Sequence, residues 1–139
     1  MFKTILLALD LNAMEGAQKL AEAAKLLAGQ GGGTIHVVSV VPDLGFSMVG
    51  AAFSAGHSKD MLAEAERALT AWIAEALPDG AEAHVAQGTI YDVVIRMAER
   101  IGADAIVVGS HRPELRDYLV GPNAARIVRH AKQSVFVIR

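Results

Sequence analysis

AIVVGSHRPELRDYLVGPNAARIVRHAKQSVFVIR, residues 105–139, is the stretch around which the rest of the chain can be read. It opens on a β-branched run, Ala105 to Val108, and closes that run on Gly109. A polar loop follows, then a helix start at Gly121-Pro122-Asn123 and a last apolar strand, Ser134 to Ile138. A short apolar run without alternation suits a strand covered on both faces. The helix start offers N–H groups with no intrahelical partner and the positive end of a helix dipole, and glycines let a ligand approach the main chain. The stretch therefore has the form of a phosphate cradle.

Upstream, Lys3 to Leu9 is another apolar run, with Asp10 at its C-terminal end. Asn12 is placed to cap a helix through Ala28, with Leu20, Ala23, Ala24 and Leu27 on one face and Gly29 as its stop. The turn Gln30-Gly31-Gly32-Gly33 releases a second strand, Thr34 to Val41. Residues 42–57 read as a long apolar connection rich in Gly and Ala, either a flap packed on the sheet edge or a lid or subunit contact carrying Phe46, Met48 and Phe53. Ser58 is the expected cap of a helix to Leu77, with Leu62, Ala65, Leu69, Trp72 and Ile73 facing inward. Ala81 to Gln87 alternates small apolar and polar residues, as an edge strand does. Thr89 and Asp92 resemble a capping box for a helix to Ile101, buried through Val93, Val94, Met97 and Ile101 and stopped by Gly102.

Strands and helices thus alternate from end to end, which predicts an α/β fold: a doubly wound parallel sheet with helices on both faces. Such sheets bind ligands beyond the carboxyl ends of their strands, where the winding reverses. If the fourth strand returns beside the first, Asp10 and Gly109 end next to each other there. Asp10 is then either an acceptor for a ribose or base or a turn residue, and Gly109 through Asn123 either a phosphate site or a solvated basic loop. The patterns G-x-x-x-x-G-K-[ST] and G-x-G-x-x-G are both absent. Pro122 fits the first helical position but has no N–H, leaving Asn123 and Ala124 as main-chain donors, with His111, Arg112 and Arg116 as supplementary side-chain donors.

Composition narrows the classes. The chain has 139 residues, 53% of them hydrophobic, which supports one well-filled domain over residues 1–139. A net charge of −2 supplies no general field for nucleic acid or an anionic membrane, so neither is expected as a partner. With no cysteine there is no disulfide, thiolate or Cys-based metal chemistry, and no apolar run has the length of a bilayer span. A cytoplasmic protein is expected. His36, His57, His84, His111 and His130 show no ligand spacing, so no metal site is expected, and His36 and His84 are read as packed strand side chains. Arg126, Arg129, His130 and Lys132 are read as a solvated face at a helix C-terminus. No catalytic residue can be named.

The segments KTILLALD, VVSVVPDL, AHVAQG and VVGSHRPELRDYLVGPNAARIVRHAKQSVFVIR resemble the universal stress protein family along the whole chain, most closely its bacterial F- and G-type members. The resemblance implies an adenine nucleotide alpha hydrolase-like, five-stranded parallel sheet of order 3-2-1-4-5. It also implies ATP or AMP, with or without magnesium, at the switch point between strands one and four, and a regulatory role in stress response. Dimerisation through the last strand, here Val135 to Ile138, would satisfy its open edge. The family's acidic adenosine contact falls on Asp10 and its adenine-side main-chain contact near Val40. Its motif of G-x-x-G, nine residues and G-[ST] falls on Gly109, Arg112, Gly121 and Pro122. Arg112 replaces the second glycine, the spacer is one residue shorter, Pro122 replaces the hydroxyl residue, and Ala8 stands where a proline often precedes the Asp. The Arg112-Pro113 pair and the short spacer look typical of the F/G branch. Pro122 instead removes a hydroxyl and an N–H together, which implies triphosphate binding weaker by about tenfold or more unless arginines compensate. The alternatives are a nucleotide-free dimeric interaction module with a degenerate phosphate loop, and a small adenylate-handling enzyme or slow ATPase of the wider hydrolase group.

Overall fold

The structure, a computed structural model, describes residues 2–29, 32–42, 51–110 and 121–139, with residues 51–55 described by their backbone alone. The elements run β1 (Thr4–Ala8), α1 (Ala17–Ala28), β2 (Thr34–Val41), α2 (Ala51–Ala76), β3 (Glu82–Gln87), α3 (Ile90–Ile101), β4 (Ala105–Gly109), α4 (Pro122–His130) and β5 (Ser134–Ile138). All five strands are parallel in the order β3-β2-β1-β4-β5, so the sheet is doubly wound with β1 at its centre and β3 at one edge.

Alternate residues of each strand face opposite sides, and the core divides accordingly. Ile5, Leu7 and Val37 point to the side covered by α1 and α2, where Leu20, Ala24, Leu69 and Ile73 are buried against them. Leu6, Val38 and Ile106 point to the other side, beneath Val94, Met97 and Ala98 of α3 and Ala124 and Ile127 of α4. Covered on both faces, β1 and β4 tolerate apolar residues at nearly every position, which is why neither shows alternation. Burying each such large side chain contributes about 1.5–3 kcal/mol relative to exposure. Arg126 of α4 lies 5.1 Å over the Tyr91 ring of α3, so it is not a wholly solvated cation. Leu62, Ala65 and Trp72 are half-buried rather than core, whereas Ala76 and Leu77 are buried.

Two helix starts differ from the sequence expectation. Asn12 does not cap α1: its N–H donates to Asp10 Oδ1 at 2.8 Å, and the Ala13 N–H donates to the Asp10 carbonyl at 3.1 Å. This local turn competes with helix formation, which begins only after Gly16 adopts φ 83° at the N-cap. Ser58 does not start α2 either. The alanine-rich segment from Ala51 is already helical, and one interior glycine, Gly56, costs only about 1 kcal/mol against alanine. The connection expected over 42–57 is thereby shortened, and Ser58 Oγ accepts from Gln87 Nε2 at 3.1 Å. Phe46, Met48 and the Phe53 side chain lie outside the described residues. Thr89 is the N-cap of α3 as expected, but its side chain makes no capping hydrogen bond.

At the amino ends of the strands, the Asp104 carboxylate joins β1 to the start of β4. It accepts from the Lys3 N–H at 2.9 Å and the Thr4 N–H at 3.0 Å. The Lys3 hydrogen bond, aided by that of Thr4 and opposed by desolvation, holds the Asp104 pKa below its ordinary value.

Candidate functional site

β1 and β4 lead to helices on opposite faces of the sheet, and beyond their carboxyl ends lies a cavity of about 360 Å³. β1 and β4 are direct neighbours, with Leu7 opposite Val107, so Ala8 and Asp10 meet Gly109 across the crevice. The Leu9 N–H donates to the Val38 carbonyl at 2.9 Å, extending the pairing with β2 and leaving Val40 on the adjoining wall. Asp10 is exposed; the hydrogen bond from Asn12 orients one carboxylate oxygen and leaves further acceptor capacity.

The opposite wall is the start of α4. Gly121 is buried there, and the first helical hydrogen bond runs from the Ala125 N–H to the Gly121 carbonyl at 3.0 Å. The N–H groups of Asn123 and Ala124 precede that ladder at the positive end of the helix. Both residues line the cavity. Pro122 occupies the first turn, is exposed, and does not line it. Among the described residues, a methyl group at Gly109 would meet only the Leu20 side chain, at 3.8 Å, so their packing does not demand glycine there.

Of the residues singled out from the sequence, Ala8, Asp10, Val40, Gly109, Gly121, Asn123 and Ala124 border this one crevice. His111 and Arg112 lie outside the described residues, as does Arg116. Sequence reasoning passed over Ser110, which is buried at the crevice; its N–H donates to the Ile138 carbonyl at 3.0 Å and ties the loop after β4 to the end of β5. It also passed over Val38, Val94, Ile127 and Ile90, which make the crevice floor and mouth apolar. Their place in the helix and strand periodicity was the only available signal, and it marks core and pocket alike.

The arrangement combines an apolar floor, two exposed carboxylates, Asp10 and Glu15, and a helix N-terminus, a set suited to a ligand with a flat apolar part, hydroxyls and an anionic end. The sheet order and this crevice at the strand switch define a five-stranded, doubly wound parallel α/β fold. The chain belongs to the universal stress protein family, whose model matches residues 1–139. It is 34% identical over 143 residues to Universal stress protein G of Escherichia coli O157:H7, with 100% of both chains covered. Its fold is similar to that of hypothetical protein MJ0577, whose biochemical function was assigned from structure (TM-score 0.80, 22% identity, 99% of this chain and 96% of that one). A universal stress protein in complex with cAMP shares the fold at TM-score 0.60 and 16% identity, over 99% of this chain and 97% of that one. Among the described residues, no helix is long and apolar enough to cross a membrane.

A second polar group lies at the other end of the sheet. His36 and His84, expected as separate packed side chains, are largely buried but touch, with Nδ1 of His36 2.9 Å from Nε2 of His84. Glu82 Oε2 lies 3.5 Å from the first nitrogen and 4.0 Å from the second. Linear spacing cannot reveal this group, because it is built by the parallel register that sets His36 beside Glu82 and Val38 beside His84.

Proposed function

We propose that this chain is a cytoplasmic, dimeric stress protein that binds an adenine nucleotide, ATP or AMP with or without magnesium, in the crevice between β1 and β4. Its role is regulatory rather than one of fast turnover. The observation that carries this reading is the meeting of Asp10, Gly109 and the first turn of α4 around one cavity. Asp10 accepts from the ribose hydroxyls, Val40 offers its main chain to the adenine edge, and Val38 and Val94 cover the base. Gly109 admits the phosphates to the main chain, and the Asn123 and Ala124 N–H groups bind them, with Ala8 and Gly121 shaping the walls. His111 and Arg112, in the sequence between β4 and α4, are the expected further side-chain donors. Family membership and the cAMP complex of a structural neighbour support this chemistry.

Pro122 sets the balance between ligands. Lacking both an N–H and a hydroxyl, it leaves the distal phosphates with fewer partners than the α-phosphate, so AMP is expected to bind within about tenfold of ATP. Native mass spectrometry of the purified chain with ATP and with AMP tests this; an unliganded mass at saturating concentrations of both would reject it. The nucleotide-free interaction module is favoured only by Pro122. It predicts binding by the Pro122→Ser variant and none by the unaltered chain.

Dimerisation through β5 rests on its place at the sheet edge, with Val135 to Ile138 all half-buried in the single chain. Antiparallel pairing with a second β5 would satisfy main-chain groups and cover these side chains. Sedimentation equilibrium should give twice 14.6 kDa, and Val137→Lys should move the mass toward one chain. An unaltered chain that sediments as a monomer would exclude this interface.

A further inference from the structure

We propose that His36, Glu82 and His84 form a binding site for a divalent transition-metal ion of the zinc class, at the opposite end of the sheet from the nucleotide crevice. The three residues sit on β2 and β3 near their amino ends, and the crevice lies beyond the carboxyl ends of β1 and β4. Parallel register, not chance proximity of flexible tails, sets the group. His36 and Glu82 are paired neighbours, and His84 follows Glu82 two residues on, on the same face of β3.

The three potential ligand atoms form a triangle with sides of 2.9, 3.5 and 4.0 Å. A tetrahedral zinc ion with bonds of about 2.0–2.1 Å to nitrogen holds neighbouring ligand atoms about 3.3–3.4 Å apart, within the range of these sides. The imidazole rings are nearly parallel, 15° apart, with centroids 5.1 Å apart, so the two nitrogens face each other almost end-on, and both rings must turn in their planes to aim their lone pairs at one ion. Without a metal, one nitrogen of the facing pair carries a hydrogen and the other accepts it. With a metal, both turn lone pairs inward, and that hydrogen moves through solvent to the outer nitrogen of the same ring. Two neutral histidines and one carboxylate remain, a net charge of −1 facing a dication.

Burial favours the same state. The His36 and His84 side chains are 11% and 16% exposed, whereas that of Glu82 is 66% exposed and can swing to close the set. Desolvation, followed by the charges of His36 and Arg100, holds the His84 pKa below its usual value. The Arg100 guanidinium also repels a cation, and Glu82 offsets it. His84 borders a second cavity, of about 480 Å³, at the β3 edge, which leaves room for a water molecule as fourth ligand. Two imidazoles and a carboxylate select Zn²⁺, Co²⁺ or Ni²⁺ over Mg²⁺ or Ca²⁺, which prefer all-oxygen sets.

The test is calorimetric titration of the tag-free chain with ZnCl₂, together with the visible absorption of the CoCl₂-loaded chain. One ion per chain is expected, with a cobalt d–d spectrum of nitrogen and oxygen ligation. Glu82→Gln, which alters an exposed side chain and should leave the fold intact by circular dichroism, should weaken zinc binding about tenfold or more. His84→Gln should abolish the cobalt bands, and His130→Gln, remote from the group, should change neither readout. No saturable heat with ZnCl₂, or binding unchanged in both Glu82→Gln and His84→Gln, would overturn the proposal.

Discussion

At the carboxyl ends of its strands the protein presents glycines and main-chain N–H groups around an open crevice; at the amino ends it presents carboxylates and imidazoles already engaged with their neighbours. The same sheet produces both. Beyond the carboxyl ends, β1 and β4 lead to helices on opposite faces of the sheet, and among the described residues a cavity lies between them. At the amino ends, strands enter in register and polar side chains lock onto adjacent main chain, as Asp104 does on Lys3 and Thr4. One end presents main-chain groups to a ligand, and the other presents side chains held by their neighbours, Asp104 on the main chain and His36 on His84.

Four substitutions sharpen that contrast. Asp10→Asn keeps an acceptor for the Asn12 N–H but removes the charge facing the crevice. It is expected to cost about 1.5–3 kcal/mol of nucleotide binding, read by calorimetry, with little change in melting temperature. Gly33 and Gly109 form a matched pair. A Cβ on Gly33 would lie 2.8 Å from the Phe2 carbonyl oxygen and 3.1 Å from the Ala28 Cα, both main-chain atoms that cannot easily yield. Gly33→Ala should therefore destabilise the chain by about 1–3 kcal/mol in urea unfolding, with nucleotide affinity preserved in the folded fraction. Gly109→Ala should do the reverse, leaving stability nearly unchanged while the added methyl group lowers affinity by about tenfold. If Gly109→Ala destabilised as much as Gly33→Ala, the crevice would be part of the core rather than an open site.

The smallest effect belongs to Asp104. Because its folded pKa lies below the ordinary 3.8, its contribution is fully present above that value and is lost as pH falls through the folded pKa. The carboxylate is only half-buried and water screens it, so Asp104→Asn should cost less than about 1 kcal/mol near neutral pH. The difference from the unaltered chain should shrink on acidification below pH 3.8, which unfolding curves at stepped pH would reveal. A difference that stayed constant down to the acid limit would mean that the charge on Asp104 contributes nothing.

Much of this was readable in the sequence, for a physical reason. Strands covered on both faces must be apolar at almost every position, so β2 was delimited to Thr34–Val41 and β4 to Ala105–Gly109. Gly102, which adopts φ 68° after α3, marked a helix end because few other residues tolerate that conformation. The starts of α1 and α2 were less legible. Asn12 and Ser58 are the right residue types for a cap, but Asn12 is drawn into the Asp10 turn and Ser58 is overtaken by the alanine-rich segment before it. Asp10 and Gly109 stood out as a candidate site because strand ends are where a doubly wound sheet exposes polar groups, and both line the crevice. Ser110 did not, since its importance lies in a hydrogen bond to the distant Ile138. The His36, Glu82 and His84 group was invisible for the same reason: His36 and His84 are 48 residues apart in sequence, and only register brings them together.

The central claim is that the crevice at the carboxyl ends of β1 and β4 holds an adenine nucleotide. Isothermal titration of the unaltered chain with ATP and with AMP tests it most directly. One saturable site per chain, weakened in Asp10→Asn and Gly109→Ala but not in Glu82→Gln, is the result expected. No saturable heat with either nucleotide, or binding indifferent to Asp10 and Gly109, would contradict it.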